Sequence, residues 1–361
     1  MTRLFSILIA IAIIIVSILA LACSNAKAPE DVPEEVTTLT PADPPQIPDR
    51  GFFKGFASIL PPDGQFDGPY QKASEHAEFV NIWVGAAGYG YWDLADYLAG
   101  WWGDQFVERL VRGNGMFPII NLSFIDKDLE TGLLILKVPQ GMEGATLSDS
   151  DFRNAYKQGA LDAARASKPL YLSVGNEVNR WYEQYGAEAG DPNGFQHFVS
   201  LYEEIYDAVK ELSPETNVFC IFSREIVDGL READLSVVEM FDPEKLDILV
   251  FTSYPFAVQG INSPSDVPDD YYSRILDCIG VPDKPFAFTE LAWSTLDPFG
   301  GEQAQAEFLT DAAGRLTAEQ GMNLHLFGWW SLIDLDADPH NTGLIAQDGR
   351  EKEAYRVWES M

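Results

Sequence analysis

The chain has 361 residues, of which 46% are hydrophobic and 12% aromatic, enough to bury a large core. Asp and Glu number 56 against 24 Lys and Arg, which gives a formal charge of −32. Phosphate backbones and anionic lipid headgroups repel such an acidic chain, so we expect no nucleic-acid partner and no charge-driven membrane binding. Three cysteines and four histidines exclude a disulfide scaffold and a Cys/His zinc site of ordinary spacing. No metal or cofactor is predicted.

The N-terminal segment predicts export. Arg3 precedes an uncharged apolar run, residues 4–22, which ends in small residues directly before Cys23. This is the layout of a secretory signal. The last residues, Leu-Ala-Leu-Ala-Cys, resemble a bacterial lipobox, which implies a signal peptide over residues 1–22 and a lipid attached to Cys23. A transmembrane anchor is the alternative, since 19 apolar residues are just long enough to span a bilayer. Both interpretations place the rest of the chain outside the cytoplasmic membrane, and the first anchors it there by lipid.

Residues 23–50 predict a tether. Prolines alternate with acidic residues, and no apolar periodicity is present, so the segment cannot bury enough surface to fold. Because proline and like charge both extend a chain, we expect a disordered spacer in front of one domain over residues 51–361.

Eight short apolar runs follow, separated by amphipathic segments typical of helices. The runs are 53–59, 79–84, 117–122, 170–174, 218–222, 246–252, 286–289 and 324–329, and the helical segments include 93–112, 149–166, 195–212 and 303–320. Strands that alternate with helices predict βα units and a parallel sheet. Eight such units match an α/β fold of the (β/α)8 TIM barrel type. A doubly wound open sheet is the alternative, but no glycine-rich phosphate loop follows any run.

The longest insertion, residues 124–147, follows the third run. Loops after barrel strands build the active-site face, so this segment forms either a wall of the cleft or an apolar excursion over a neighbouring helix. Both interpretations stay open at this point.

Two glutamates end runs that lie on opposite sides of such a barrel. Glu177 follows the fourth run and shares the parity of Ser173 and Gly175, so alternation directs it inward at the C-terminal mouth. Glu290 ends the seventh run on the parity of Phe288. Glycoside hydrolysis requires two carboxylates that face each other in this way. One protonates the leaving oxygen, and the other attacks the anomeric carbon or activates water.

At these positions the chain resembles a clan A glycoside hydrolase, one of a group of retaining barrel enzymes. Asn176-Glu177 is similar to the Asn-Glu pair of that clan, which implies that Glu177 is the acid/base and that Asn176 binds the substrate 2-hydroxyl. Thr289-Glu290 is similar to the nucleophile position. Tyr254, after the sixth run, resembles a tyrosine that hydrogen-bonds the nucleophile.

Further parts of the resemblance concern the sugar subsite. Trp329 or Trp330, at the end of the eighth run, resembles the tryptophan floor under the cleaved sugar. The runs Gly-Asn-Glu-Val-Asn and Ser-Tyr-Pro-Phe are most similar to endo-β-1,4-galactanases and certain β-mannanases. The chain departs from the clan at the second run, where Asn81 stands in place of an arginine that supports the nucleophile. Trp83 and Trp293 also fall near the expected mouth and suit saccharide stacking.

Two classes of function follow. The first is a retaining glycosidase that cleaves β-linked oligo- or polysaccharide through a glycosyl-enzyme intermediate. The second is a barrel that has lost catalysis and binds carbohydrate at the cell surface. The two glutamates favour the enzyme, and the missing arginine favours the binder. We expect a monomer, in which Cys220 and Cys278 are free thiols rather than a disulfide.

Overall fold

Eight parallel strand positions form a nearly closed barrel in the computed structural model, which describes residues 38–42, 46–83, 90–277, 284–316 and 321–361. We number the strands in chain order: β1 Phe53–Ser58, β2 Phe79–Trp83, β3 Phe117–Asn121, β4 Tyr171–Ser173, β5 in two segments, Asn217–Phe219 and Ile221–Ser223, β6 Leu249–Ser253, β7 Phe286–Leu291 and β8 Leu324–Ser331. The first segment of β5 pairs with β4 and the second with β6, while β1 pairs with β8. The two ends of the sheet are therefore the two halves of one strand, and the arrangement fits the predicted TIM barrel.

Helices connect the strands. They are α1 Asp67–Ser74, α2 Leu94–Ala99, α3 Trp101–Gly103, α4 Ser150–Ser167, α5 Asn179–Tyr185, α6 Phe195–Leu212, α7 Arg274–Asp277, α8 Gly301–Arg315 and α9 Glu353–Ser360, with a π-helical segment at Asp104–Val111. The prediction of one helix over 93–112 is wrong, because Gly100 is extended (φ −104°, ψ −167°) and ends α2. The predictions for α4 and α6 are confirmed to within one residue. The end predicted for α8 falls partly outside the described residues.

The strands alternate between two cores. The barrel interior is filled from all eight strand positions, by Phe53, Phe79, Phe117, Ile119, Tyr171, Phe219, Ile221, Val250, Ala287 and Leu326, among others. The residues between them, such as Phe56, Ile120 and Leu172, belong to the larger core outside the barrel, where the helices pack. This period of two decides which side chains at the strand ends face the mouth.

The insertion after β3 forms a short hairpin, Ile125–Lys127 with Leu134–Leu136. The Leu134 carbonyl accepts hydrogen bonds from the Gln184 amide (2.8 Å) and the Tyr185 hydroxyl (2.7 Å) of α5. No residue of the segment 124–147 lines the cleft described below. The insertion is therefore an excursion over a helix and not a cleft wall.

Part of the predicted tether is joined to the barrel. The Leu39 amide donates to the Leu212 carbonyl (2.7 Å), and the Ala42 amide donates to the Lys168 carbonyl (3.1 Å). Lys168 lies just before β4, so these contacts are on the side where the strands begin, opposite the mouth. The barrel body thus begins before residue 51, the boundary that composition predicted.

The predicted signal peptide and the predicted lipid attachment at Cys23 lie outside the described residues. Cys278, the alternative disulfide partner of Cys220, lies outside them as well, and Cys220 is buried. Within the described ranges, no helix has the length and apolar character that a membrane span requires.

Candidate active site

The ends of the strands open into a cleft of about 720 Å³. Seven of the residues singled out from the sequence line it: Asn81, Trp83, Asn176, Glu177, Tyr254, Glu290 and Trp330. The cleft therefore brings together residues from β2, β6, β7 and β8 and from the turn after β4.

Glu177 occupies a strained turn after β4. Its backbone lies in the left-handed region (φ 46°), which is unfavourable for a residue with a Cβ atom. Asn179 holds the turn, because its amide group donates to the Ser223 carbonyl (2.8 Å) and accepts from the Ser223 amide (2.7 Å). Strain that surrounding contacts enforce is common at functional sites.

Both carboxylate oxygens of Glu177 have donors. The Thr252 hydroxyl donates to Oε1 at 2.9 Å, and the Arg180 guanidinium donates to Oε2 at 2.8 Å. Arg180 also faces Asp228 at 3.7 Å. The cation near the site thus pairs with Glu177 and not with Glu290.

Glu290 reaches the cleft through a bulge and not through simple alternation. Phe286 and Phe288 belong to the outer core, and Ala287 belongs to the barrel interior, so strict parity would turn Glu290 outward. The pairing of β7 shifts register against both neighbouring strands near this point, and a bulge of this kind re-aims a side chain. Glu290 thus lines the mouth as expected, but the parity that it shares with Phe288 does not explain its direction.

Gly328 on β8 makes room for this bulge. A Cβ atom at position 328 would lie 2.2 Å from the Thr289 carbonyl oxygen, a distance that backbone cannot tolerate. The absence of a side chain at position 328 therefore permits the bulge in β7 that directs Glu290 into the cleft.

Glu290 is buried and poorly stabilised as an anion. Only 3% of it is exposed, and the Tyr254 hydroxyl donates to its Oε2, which is the contact that the resemblance implied. Burial, and then the charge of Glu177, raise the pKa of Glu290 to about 8, while the Tyr254 bond partly lowers it. In place of the arginine, Asn81 donates to the Thr289 carbonyl at 3.4 Å.

Several buried polar atoms at or near the strand ends have no hydrogen-bond partner among the described residues. They are Glu290 Oε1, Asn81 Oδ1, Asn176 Oδ1, Thr289 Oγ1 and both side-chain polar atoms of Asn121. Asn121 is the last residue of β3 and does not line the cleft. Three of them, Glu290 Oε1, Asn81 Oδ1 and Asn176 Oδ1, belong to residues that line the cleft, and we call these three atoms the polar floor.

Glu225, beyond β5, is a second residue that the sequence did not reveal. It is fully buried and accepts hydrogen bonds from the Tyr254 amide (2.7 Å), the Ser253 hydroxyl (2.8 Å) and the Tyr271 hydroxyl (2.6 Å). Burial raises its pKa to about 7, although the bond from Tyr271 lowers it. In the sequence, the charged pair Arg224-Glu225 is typical of an exposed strand end. Because Glu225 accepts a hydrogen bond from the Tyr254 amide, it helps to hold in place the tyrosine that contacts Glu290.

Two of the tryptophans singled out from the sequence, Trp83 and Trp330, line the cleft. Trp330 stands edge-on to Tyr254, with ring centroids 6.4 Å apart. Trp83 is fixed by a hydrogen bond from its indole N–H to the Ala57 carbonyl (3.0 Å). Both are placed where a bound ligand could contact them.

Trp293 and Trp329 are fully buried and do not line the cleft. Trp329 donates to the Thr342 carbonyl (2.8 Å), and Trp293 stacks on Phe308 with ring centroids 5.0 Å apart. Alternation explains Trp329: Leu326 faces inward, so Trp329 faces the helices. These placements correct the expectation that both lie at the mouth.

The described residues contain no group of three His, Cys, Asp or Glu side chains arranged to hold a metal ion.

No family model matches the chain, and no curated protein matches it in sequence. Solved structures do match. A GH5_18 protein from Streptomyces cattleya, solved with GlcNAc, is 17% identical, with a TM-score of 0.56 over 86% of this chain and 79% of that chain. A second structure from that organism contains Manb1-4GlcNAc. A fungal β-1,4-galactanase is 15% identical, with a TM-score of 0.57 over 86% and 99%.

A β-glucuronidase of an uncultured Clostridium sp. also matches, at 13% identity and a TM-score of 0.54 over 86% of this chain and 50% of that chain. At such identities the likeness shows a common fold. The structural resemblance to clan A glycoside hydrolases is confirmed at that level.

Proposed function

We propose that the protein is a retaining glycosidase for β-linked glycosides. The observation that carries this proposal is the pair Glu177 and Glu290 in one cleft, with Tyr254 donating to Glu290. Neighbours of the same fold are named as β-galactanase and β-glucuronidase, which supports the same class of reaction.

In the proposed mechanism, Glu290 attacks the anomeric carbon and Glu177 protonates the leaving oxygen, then activates water in the second step. The two carboxylates repel each other, so the pair retains one proton near neutral pH. With its pKa at about 8, Glu290 holds a proton in the resting site. Attack therefore requires that this proton pass from Glu290 to Glu177, and that the Arg180 contact open so that Glu177 can hold the proton as the acid.

The polar floor supports a sugar as the ligand. A sugar hydroxyl both donates and accepts, so it can pair with the amide oxygens of Asn81 and Asn176 and with the free oxygen of Glu290. β-Galactan and β-mannan oligosaccharides are the first candidates, given the sequence resemblance and the neighbour that holds Manb1-4GlcNAc.

The test begins with a panel of polysaccharides and aryl β-glycosides. On an activated aryl glycoside, Glu177→Ala should still form the glycosyl-enzyme and then stall, and azide should restore turnover to give a glycosyl azide of retained configuration. Glu290→Ala with azide should give the inverted product. The reverse pattern would exchange the two roles. In a crystal structure, the carboxyl groups should lie about 5–5.5 Å apart, and a separation above about 8 Å would contradict retention.

A carbohydrate-binding protein without catalysis is the second candidate, favoured because no Lys or Arg among the described residues pairs with Glu290. It would be supported if oligosaccharide binds while neither the protein nor its variants cleave any glycoside in the panel.

We further propose that the protein is held at the outer face of a bacterial membrane by lipid on Cys23. Residues 38–42 contact the side of the barrel opposite the mouth, an arrangement that suits a chain anchored from that side. Cys23→Ser should abolish labelling by a clickable fatty acid, because only the thiol accepts the lipid. Equal labelling of the wild type and Cys23→Ser would contradict this proposal.

A further inference from the structure

The cleft has a second region whose chemistry differs from that of the polar floor. Beside β1 and β2 it is lined by six side chains that we call the apolar lobe: Ile59, Leu60, Phe66, Tyr70, Trp102 and Phe106. Phe106 lies 5.0 Å from Phe66 and 5.2 Å from Trp102, measured between ring centroids. The rings already contact each other, so the lobe exists without a ligand.

No charged or amide side chain belongs to the lobe. Its only oxygen is the Tyr70 hydroxyl, and burial raises the pKa of Tyr70 to about 12.

A sugar is a poor ligand for such a surface. Each hydroxyl that is buried without a partner weakens binding by about fivefold to more than a hundredfold. An apolar group, by contrast, gains about fourfold for each methylene that it buries. Aromatic side chains do stack on sugars, but here aliphatic Ile59 and Leu60 complete the wall, and the Tyr70 hydroxyl and the Trp102 indole N–H are the only polar side-chain groups among the six.

The size of the cleft points the same way. Its volume of about 720 Å³ lies within the range of about 300–1,000 Å³ that holds small molecules. This is room for a sugar and one further group, and both regions open into a single space with Glu177 and Glu290.

We infer that the substrate is an amphipathic glycoside, whose sugar binds the polar floor and whose alkyl, acyl or aryl group binds the apolar lobe. This inference rests on the proposed function, since the lobe is assigned through its continuity with the two glutamates. The apolar group is either the aglycone or a substituent on the sugar, two sources with the same chemistry.

Two substrate series distinguish the sources. The first comprises methyl, butyl and hexyl β-glycosides of the sugar that the panel selects, and the second comprises 4-nitrophenyl glycosides of that sugar with acetyl, butyryl or hexanoyl esters on O6. We expect kcat/KM to rise about fourfold per methylene in one series. A rise in the first assigns the lobe to the aglycone, and a rise in the second assigns it to the sugar substituent. No dependence on chain length in either series overturns the inference.

Binding separates this inference from the proposed activity. Calorimetry with n-hexyl and methyl β-D-glucopyranoside, below the micelle concentration, should show much tighter binding of the hexyl compound even if nothing is cleaved. Tighter binding of the hexyl compound without hydrolysis would support apolar binding by the lobe and contradict the proposed glycosidase activity. Hydrolysis without any dependence on chain length would support the glycosidase activity and contradict apolar binding by the lobe.

A surface variant provides the structural test. Leu60 is 53% exposed, so Leu60→Asn should fold normally and should lower the hexyl-to-methyl ratio of binding constants severalfold. Leu129 is 93% exposed and lies outside the cleft, so Leu129→Asn is the matched control and should leave the ratio unchanged. An equal ratio in the wild type and Leu60→Asn would contradict the assignment.

Discussion

Replacing Tyr254 with Phe tests how the site ionises Glu290, the proposed nucleophile. The change removes one hydroxyl, which donates to Glu290 Oε2, and keeps the ring. Burial and the charge of Glu177 hold the pKa of Glu290 at about 8, and the bond from Tyr254 opposes that rise. Loss of the bond should therefore raise the pKa further.

The magnitude follows from the strength of one hydrogen bond to a charged group, about 1.5–3 kcal/mol. Divided by 1.36 kcal/mol per pKa unit, this gives an increase of about 1–2 units. At pH 7, roughly a tenth of the wild-type Glu290 is ionised, if its pKa is about 8. In the variant this fraction falls by a further factor of about 10–100, and activity at pH 7 should fall with it.

The assay is kcat/KM against pH with an activated aryl β-glycoside, whose leaving group needs no protonation, so that the acidic limb reports Glu290 alone. In Tyr254→Phe this limb should move to higher pH by about 1–2 units. Tyr206→Phe is the control, because the Tyr206 hydroxyl also donates to a carboxylate, Asp247 (2.9 Å), away from the cleft. A limb that stays in place, or a loss of activity that is equal at every pH, would refute the reasoning.

Three further changes have defined outcomes. Glu225→Gln should lower kcat about 10–100-fold, because the tyrosine beside the nucleophile loses part of its support; an unchanged kcat would mean that Glu225 is only structural. Gly328→Ala should lower the free energy of unfolding by about 1–3 kcal/mol in urea titrations and abolish activity, since its Cβ would collide with Thr289. Gly190→Ala, which meets no atom within 4 Å, should do neither. Glu290→Gln should be a few kcal/mol more stable than the wild type at pH 8.5, because a carboxyl whose folded pKa is raised from 4.5 to about 8 loses stability as pH rises through that window. The difference should vanish near pH 4, and a constant difference would contradict this linkage.

The sequence predicted the barrel well because its signals are local. Short apolar runs rich in β-forming residues indicate strands that are buried on both faces, and amphipathic helices between such runs indicate a parallel sheet. The helix broken at Gly100 was missed because the apolar pattern continues across it, and a single glycine does not by itself end a helix.

The site was predicted less completely, since part of it depends on contacts between distant strands. The inward direction of Glu290 depends on a bulge beside Gly328, and register shifts leave no trace in alternation. Glu225 is fully buried behind Tyr254, and the charged pair Arg224-Glu225 in the sequence gives no sign of that burial. The resemblance left Trp329 and Trp330 as alternatives for the tryptophan floor. Leu326 faces inward, so alternation along β8 directs Trp330 inward and Trp329 outward, and only Trp330 of the two lines the cleft.

The two regions of the cleft have complementary consequences for selectivity. The polar floor leaves oxygens of Asn81, Asn176 and Glu290 unpaired, and each buried atom without a partner costs about 1–3 kcal/mol. A ligand that supplies hydroxyl groups removes this cost, whereas a hydrocarbon leaves it in place. The apolar lobe has the opposite preference for hydrocarbon over hydroxyl groups, because buried apolar surface strengthens binding there and its side chains offer few hydrogen bonds. A free fatty chain therefore satisfies only the lobe, and a free sugar satisfies only the floor. A glycoside that carries an apolar group gains from both, and its sugar then lies beside Glu177 and Glu290, where the bond would be cleaved.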